Sequence, residues 1–472
     1  MKRCTLAFIV IFSVSNATAQ VRLPAVFSDH MVLQQQSEVA LWGWADPSEK
    51  IAIVASWESR DTLKTKTLNT TVWKVKLRTP AAGGPFTITI IGKKEWVIKD
   101  VMVGEVWICS GQSNMEWSVN NGVADAKEDM PKANFPGIRL FQVNRSAADS
   151  PQVHGEGQWQ LCTPETMKSF SAVGYYFGKK LHADLKVPIG LINASWGGTP
   201  AEVWTPSEKV EADSELKTSA LQLKEFEWWP KNSGVVYNSM IQPLMPYGIA
   251  GVIWYQGESN TAAPSTYQKL MKTMIESWRT GFEKEFPFYY VQIAPYTYGR
   301  AFEGALIREQ QSKMIGIPNT GMVIISDVVD NVKDIHPKFK KPVGERLANY
   351  ALGETYKKPL LGYQSPIYKS MQVEKGKARV SFEFGQIGLI SHGGDPTQFL
   401  IAGEDKKFFP AMARIDGETV VVFAKEVKVP VAVRFCWDNT SIPNLFNKEG
   451  LPVSCFRTDA WELDMNPVEG KK

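Results

Sequence analysis

Serine is a poor nucleophile unless a neighbouring base takes its proton, and histidine is scarce in this chain, five among 472 residues. The serine best placed for such chemistry is Ser113, in Ser110-Gly111-Gln112-Ser113-Asn114-Met115, directly after the apolar run 105–109. A serine in a glycine-containing turn after a strand is held near the surface, with backbone N–H groups free to face a substrate. An isolated Gly-x-Ser is more often an ordinary polar turn, so the neighbouring stretches matter. Asn193-Ala194-Ser195-Trp196-Gly197-Gly198-Thr199 also follows an apolar run. Its glycines let a backbone N–H approach a ligand closely, although a tight turn explains them equally well. In Trp254-Tyr255-Gln256-Gly257-Glu258-Ser259-Asn260, the amides of Gln256 and Asn260 suit a developing oxyanion. Glu258 could orient them or hold a neighbouring loop. The plainer reading is a polar strand-to-helix connection with Asn260 or Thr261 near a helix start.

His336 is the candidate base. It lies in Asp334-Ile335-His336-Pro337, after the last apolar strand run and before a final helix pattern. A carboxylate two residues away can fix the imidazole tautomer and stabilise the imidazolium formed in turnover. The other histidines fit less well. His182 falls in a helix pattern beside charged residues and reads as a solvated surface group. His30 precedes an apolar run far from these loops, and His154 and His392 sit in polar and glycine-rich loops.

The elements that must position these residues follow from periodicity. Short β-rich stretches at 39–44, 51–56, 72–77 and 86–91, separated by turn residues, predict a small β-domain over 20–100. Over 101–357, apolar strands at 105–109, 138–143, 189–194, 251–255, 288–293 and 322–326 alternate with helix patterns. The clearest helix spans 265–280, where Tyr267, Leu270, Met271, Met274 and Trp278 recur at three- and four-residue spacing, and 344–352 reads as the last. This alternation predicts an α/β catalytic domain, a parallel sheet covered by helices on both faces, with its site at the strand C-termini. Strands return at 378–384, 419–422 and 431–435, so residues 358–472 form a further β-rich region.

Composition narrows the function classes. The chain is 44% apolar and 22% charged, with no run of the ~18–20 apolar residues needed to span a membrane. Lys2 and Arg3, the apolar stretch 6–14 and Ala17-Thr18-Ala19 read as an export signal over 1–19, cleaved after Ala19. Loss of Lys2 and Arg3 lowers the formal charge from +4 to +2, which gives no electrostatic case for nucleic acid. Cys109, Cys162, Cys436 and Cys455 then remain, too few for a disulfide scaffold. Cys436 and Cys455 are close enough in sequence to bond, and free buried thiols are the equal alternative. No Cys/His spacing suggests zinc, and neither metal nor cofactor is expected.

Taken together, these stretches resemble the sialate O-acetylesterases and related carbohydrate acetylesterases, within the SGNH-type hydrolases. The resemblance begins at Leu23-Pro24 and Phe27-Ser28-Asp29-His30-Met31-Val32-Leu33-Gln34. It continues through Gly104-Glu105-Val106-Trp107, Gly111–Met115, Trp254–Asn260 and Ile335-His336-Pro337 with Gly344, Arg346 and Leu347. It ends in Asn444-Leu445-Phe446-Asn447 and Gly450-Leu451-Pro452. It implies a three-layer αβα fold, Ser113 as nucleophile and His336 as general base and acid. Its oxyanion donors would be the Ser113 N–H, an N–H of Gly197 or Gly198, and the Gln256 or Asn260 side chain. Two departures stand out. The serine motif is Gly-Gln-Ser-Asn rather than Gly-Asp-Ser-Leu, and the acid three residues before the histidine would fall at Lys333. Asp334 is the nearest substitute, with a backbone carbonyl and a dyad as the alternative.

The substrate implied is an acetylated sugar, either sialic acid or xylan and other plant polysaccharides. Trp117 and Trp196 flank the proposed loops and are candidate sugar platforms, although core packing is the commoner use of a tryptophan. A sialic acid site should supply a positive group for the carboxylate, and Arg145, Arg300 and Arg308 are near in sequence. Two readings compete: a lipase or deacylase of the same fold taking longer acyl chains, and a carbohydrate-binding protein with an inert centre.

Overall fold

The computed structural model describes residues 21–465; the expected leader, 1–19, lies outside them. The first thirteen strands, of which eleven form one sheet while β2 and β5 pair with each other, are β1 (Val32–Gln34), β2 (Glu38–Trp44), β3 (Lys50–Ala55), β4 (Thr62–Lys66), β5 (Val72–Arg78), β6 (Gly83–Ile91), β7 (Glu95–Gly111), β8 (Phe135–Val143), β9 (Gly157–Cys162), β10 (Ile189–Ser195), β11 (Gly251–Tyr255), β12 (Phe288–Val291) and β13 (Thr320–Val323). The helices that matter for the site are α1 (Ser113–Glu116), α2 (Ala172–Leu185), α3 (Tyr267–Gly281), α4 (Glu303–Lys313) and α5 (Lys341–Glu354).

Six strands run parallel in the order β13-β12-β11-β7-β10-β8. The sheet is not purely parallel: β9, which the periodicity did not reveal, pairs antiparallel with β8 at the edge. The expected strand at 322–326 starts and ends earlier, and Ser326–Val328 forms a 3-10 turn instead. Side chains alternate between two cores, as the two-residue period of a strand requires. Val106, Ile108, Val252 and Trp254 face the side covered by α3. Trp107, Cys109, Ile253 and Tyr255 face the side covered by α2 and α5. Helix α3 buries Tyr267, Leu270, Met271, Met274, Ile275 and Trp278, the stripe anticipated from spacing. Each such burial contributes about 1.5–3 kcal/mol, which holds the helix to the sheet more firmly than intrinsic propensity does.

Strand β7 runs straight through the expected boundary at residue 100. Its first half pairs with β6 and β1, and its second half with β10 and β11. The N-terminal β-region is therefore continuous with the central sheet, and the core on the α3 side extends into it. Glu105 fastens the junction, accepting from Gln34 Nε2 at 3.0 Å, Gln35 Nε2 at 2.7 Å and the Tyr356 hydroxyl at 2.9 Å. These contacts explain why the stretches around residues 27–34 and 104–107 belong together. His30 serves the same junction, 2.6 Å from Asp100, which also pairs with Arg139. His182 is not a solvated group: its Nδ1 lies 2.7 Å from the Val187 carbonyl beyond the end of α2.

Beyond residue 358 lie antiparallel sheets, including the four-stranded order Ile367–Glu374, Lys377–Glu383, Thr419–Phe423, Met412–Asp416. This region braces the start of α4 and the loop before it through Asn439, whose Oδ1 accepts from the Gly304 N–H at 2.9 Å while its Nδ2 donates to the Arg300 carbonyl at 2.8 Å. Cys436 and Cys455 are free, buried thiols, as are Cys109 and Cys162. Among the described residues no helix is long and apolar enough to cross a membrane.

Candidate active site

Strand order reverses at β7: β10 and β8 lie to one side, β11, β12 and β13 to the other. The crevice at such a switch point is where open α/β sheets bind ligands, and β7 delivers Ser113 into it. Gly111 makes the exit possible. Its φ is 132°, and a Cβ there would fall 2.2 Å from the Tyr255 carbonyl oxygen. The chain then enters the four-residue helix α1, with Ser113 as its first residue. Ser171 steadies that turn, donating to the Met115 carbonyl at 2.6 Å while capping α2 through the Gly174 N–H.

His336 lies 223 residues further along the chain, yet its Nε2 is 2.8 Å from Ser113 Oγ. Trp117 stacks on the imidazole, with ring centroids 3.9 Å apart and planes 18° from parallel. Expected as a sugar platform, Trp117 thus spends one face on holding the base. Asp334 does not make the hydrogen bond to Nδ1 that its position suggested. Its carboxylate is 3.8 Å from Nδ1, beyond hydrogen-bond reach, because Oδ1 instead accepts the His336 backbone N–H at 3.0 Å. It closes its own loop and acts on the ring as a nearby charge. Burial, reinforced by the Lys340 ammonium and opposed by Asp334, pushes His336 down to about 4. The resting ring is therefore a free base at neutral pH.

Beneath the pair lies a buried polar cluster that the motifs only partly foretold. Asn114 Nδ2 donates to Glu258 Oε1 at 2.6 Å and to the Ile335 carbonyl at 3.0 Å. Its Oδ1 accepts from Lys340 Nζ at 2.6 Å. Of the two roles open to Glu258, holding a neighbouring loop is the one observed. Arg346 of α5 secures the same region from outside, forming two bonds of 2.7 and 2.6 Å to Asp327.

The expected oxyanion donors fare differently. Gln256 and Asn260 are buried and spent on the scaffold. Gln256 Nε2 donates to Asn260 Oδ1 at 2.7 Å and to the Thr199 carbonyl at 3.3 Å, and its Oε1 accepts from Tyr267. Asn260 Nδ2 donates to Glu202 Oε2 at 2.8 Å, and its Oδ1 also accepts the Ala201 N–H at 3.0 Å. Neither amide is free to meet a substrate, so both assignments give way to a structural one. The Gly197 N–H donates to Glu116 Oε2 at 2.9 Å. Among the described residues, the N–H groups of Ser113 and Gly198 have no acceptor in the chain. Asn260→Ala should accordingly cost stability, about 1–3 kcal/mol for stranding the buried Glu202. The folded fraction should lose far less than the ~10²–10³-fold in kcat that removing an oxyanion donor costs. Thermal melts beside single-turnover rates check this; a full-size kcat loss at unchanged stability would restore the amide as a donor.

A cleft of about 910 Å³ lies next to these loops, its lining including Gly198, Glu258 and Ile335, the residue before His336. One wall is a short hairpin in which Phe226 and Trp229 pair, their rings 4.4 Å apart. Trp196 supports that hairpin by donating from Nε1 to the Trp228 carbonyl at 3.3 Å. Gly198, with φ 81°, is the position that lets Trp229 approach: a Cβ there would lie 2.2 Å from the indole. The opposite wall is the 296–300 loop that Asn439 braces. The three arginines considered for a sugar carboxylate are engaged. Arg145 pairs with Glu116, Arg300 with Glu303 at 2.7 Å, and Arg308 is buried against the Gly304 and Asp438 carbonyls. A second cavity of about 950 Å³, beside Trp44, Trp96 and His154, shares no lining residue with this cleft.

Known proteins resemble this chain in sequence and in fold. The model of the family described as carbohydrate esterase, sialic acid-specific acetylesterase matches residues 103–353, the span from β7 through most of α5. The sialate O-acetylesterase of Homo sapiens is 28% identical over 415 residues, covering 80% of this chain and 79% of the human protein. That of Mus musculus is 26% identical, covering 88% and 89%. The crystal structure of a carbohydrate acetylesterase from Xanthomonas citri is 37% identical, covers 94% of this chain and all of its own, and superposes with a TM-score of 0.85. The chain belongs to the sialic acid-specific acetylesterase family of carbohydrate esterases and is a carbohydrate O-acetylesterase.

Proposed function

We propose that the reaction runs through an acetyl-serine on Ser113, with His336 as base and then acid, and that the sugar is a neutral glycan. The 2.8 Å contact between Ser113 Oγ and His336 Nε2 carries the first part. Oγ attacks the acetyl carbonyl and its proton passes to Nε2. The oxyanion draws on the N–H groups of Ser113 and Gly198. Collapse breaks the bond to the sugar oxygen, which leaves with the proton from Nε2. Water, deprotonated by the same nitrogen, then attacks the acetyl-serine and releases acetate.

The neutral-sugar reading rests on the pairing of Arg300 with Glu303 in the cleft lining and of Arg145 with Glu116, while Phe226 and Trp229 offer ring faces suited to a pyranose. Lys224, exposed on the rim, favours the second reading, an acidic sugar such as sialic acid. Acetate release from acetylated xylan, O-acetylated sialic acid and a long-chain ester separates these and the lipase alternative. Acetylated xylan should give the highest kcat/KM. In Trp229→Ala its KM should rise about tenfold, consistent with ~1–1.5 kcal/mol of lost aromatic contact, while turnover of a small acetyl ester stays within twofold. A clear preference for acetylated sialic acid that Lys224→Ala abolishes would reverse the choice.

The same reading takes the chain as exported, because Lys2 and Arg3, an apolar stretch and Ala17-Thr18-Ala19 occur in the order a signal peptidase reads. Mass spectrometry of the mature protein should find Gln20 at its N-terminus.

A further inference from the structure

The mechanism above uses the neutral imidazole but leaves a buried cation unexplained. Lys340 is completely inaccessible to solvent, four residues beyond His336 and immediately before α5. Placing an ammonium there is costly, and an apolar side chain would fill the space more cheaply if filling were its purpose. Its Nζ is instead committed to one contact, Asn114 Oδ1 at 2.6 Å, with the Tyr255 ring 5.3 Å away. Asn114 directly follows Ser113, and its other end holds the carbonyl of Ile335, which directly precedes His336. One ammonium therefore joins the residue after the nucleophile to the segment that carries the base. The arrangement also includes Glu258, whose Oε2 is buried without a hydrogen-bond partner.

We propose that Lys340 is a positioning residue for acyl transfer: through Asn114 it holds the serine and histidine loops in register. This rests on the reading of Ser113 and His336 as a dyad. In the usual triad a carboxylate on Nδ1 favours the imidazolium. Here the nearest carboxylate, Asp334, stands off at 3.8 Å, and a buried cation acts in the opposite sense. The charged groups acting on His336 are Lys340 and Asp334. Those acting on Lys340 are Glu258 after β11, Asp125 from the 124–129 segment, and Asp330 and Asp334 from the histidine loop. Lys340 is itself pushed down to about 7 by burial, so these carboxylates support its charge only in part.

The test is the pH profile of kcat/KM for p-nitrophenyl acetate in the wild type, Lys340→Met and Lys340→Arg, with folding followed by circular dichroism. The wild-type acid limb should lie well below 6.5. In Lys340→Met it should rise by about one unit as the opposing charge is lost, and kcat should fall about tenfold with KM little changed. Lys340→Arg should keep the low acid limb. A residue that merely fills space would lower the plateau without moving the limb, and that result would overturn the proposal. If Lys340→Met does not fold, the wild-type limb decides: a value at or above 6.5 would equally remove the role. Failure of the dyad reading appears separately, as activity on this ester that survives Ser113→Ala.

Discussion

Ser113→Ala should lower kcat/KM for the acetylated substrate on the order of 10⁴-fold or more while leaving the thermal midpoint nearly unchanged. The argument is one of position. The hydroxyl's hydrogen-bond partner is His336, so its removal strands no buried donor or acceptor of the scaffold. The turn itself is held by backbone contacts, Gln112 N–H to the Tyr255 carbonyl at 3.0 Å and Trp117 N–H to the Ser113 carbonyl at 2.8 Å, and these survive the substitution. What disappears is the covalent route. The donors and the cleft remain, and they sustain only the weak catalysis that binding and oxyanion stabilisation provide without a nucleophile. Acetate release by both proteins, on a substrate near KM, measures the ratio. A loss of less than tenfold would mean that another group attacks the ester.

Much of the geometry behind this expectation is legible in the chain. A central strand covered on both faces is largely apolar, so β10, β11 and the second half of β7 appear as short, mainly apolar runs, each ending where the chemistry begins. Ser113 follows from the end of β7, and His336 from the connection between β13 and α5. Other features leave no such trace. The first half of β7 alternates in burial, belongs to a different set of partners, and looks like a separate strand of a separate domain. Gln256 and Asn260 have the right chemistry for an oxyanion site in the right loop. Only the tertiary fold brings Thr199, Glu202 and Tyr267 into hydrogen bonds with them. Lys340 is still less visible, since lysine in Lys338-Phe339-Lys340-Lys341 reads as part of a solvated charged stretch. Its burial depends on Asn114, Tyr255 and Glu258, residues that arrive from two other loops. Glu116 on the Gly197 N–H and the Phe226–Trp229 hairpin are likewise products of tertiary approach.

His336→Ala should reduce turnover about as far as Ser113→Ala does, and the double variant should lose little more. Residues that act as one unit are strongly non-additive, because either deletion alone already removes the concerted transfer. The pH dependence carries a second signature of the same ring. With His336 pushed down to about 4, the base form persists well below neutrality, and kcat/KM in the free enzyme should fall only as pH drops through that region. Stability moves over a different window. The unfolded chain protonates this histidine at about 6.5, the folded one near 4, so between these values the unfolded state binds more protons. The ring's contribution is complete above 6.5 and declines as pH falls towards 4, by up to roughly 3 kcal/mol. Denaturant midpoints of the wild type at pH 7 and pH 4.5 should differ by more than those of His336→Ala, which lacks the titrating ring. Equal pH sensitivity in the two proteins would show that His336 is not held neutral by the fold. The low acid limb of activity would then have to come from another group.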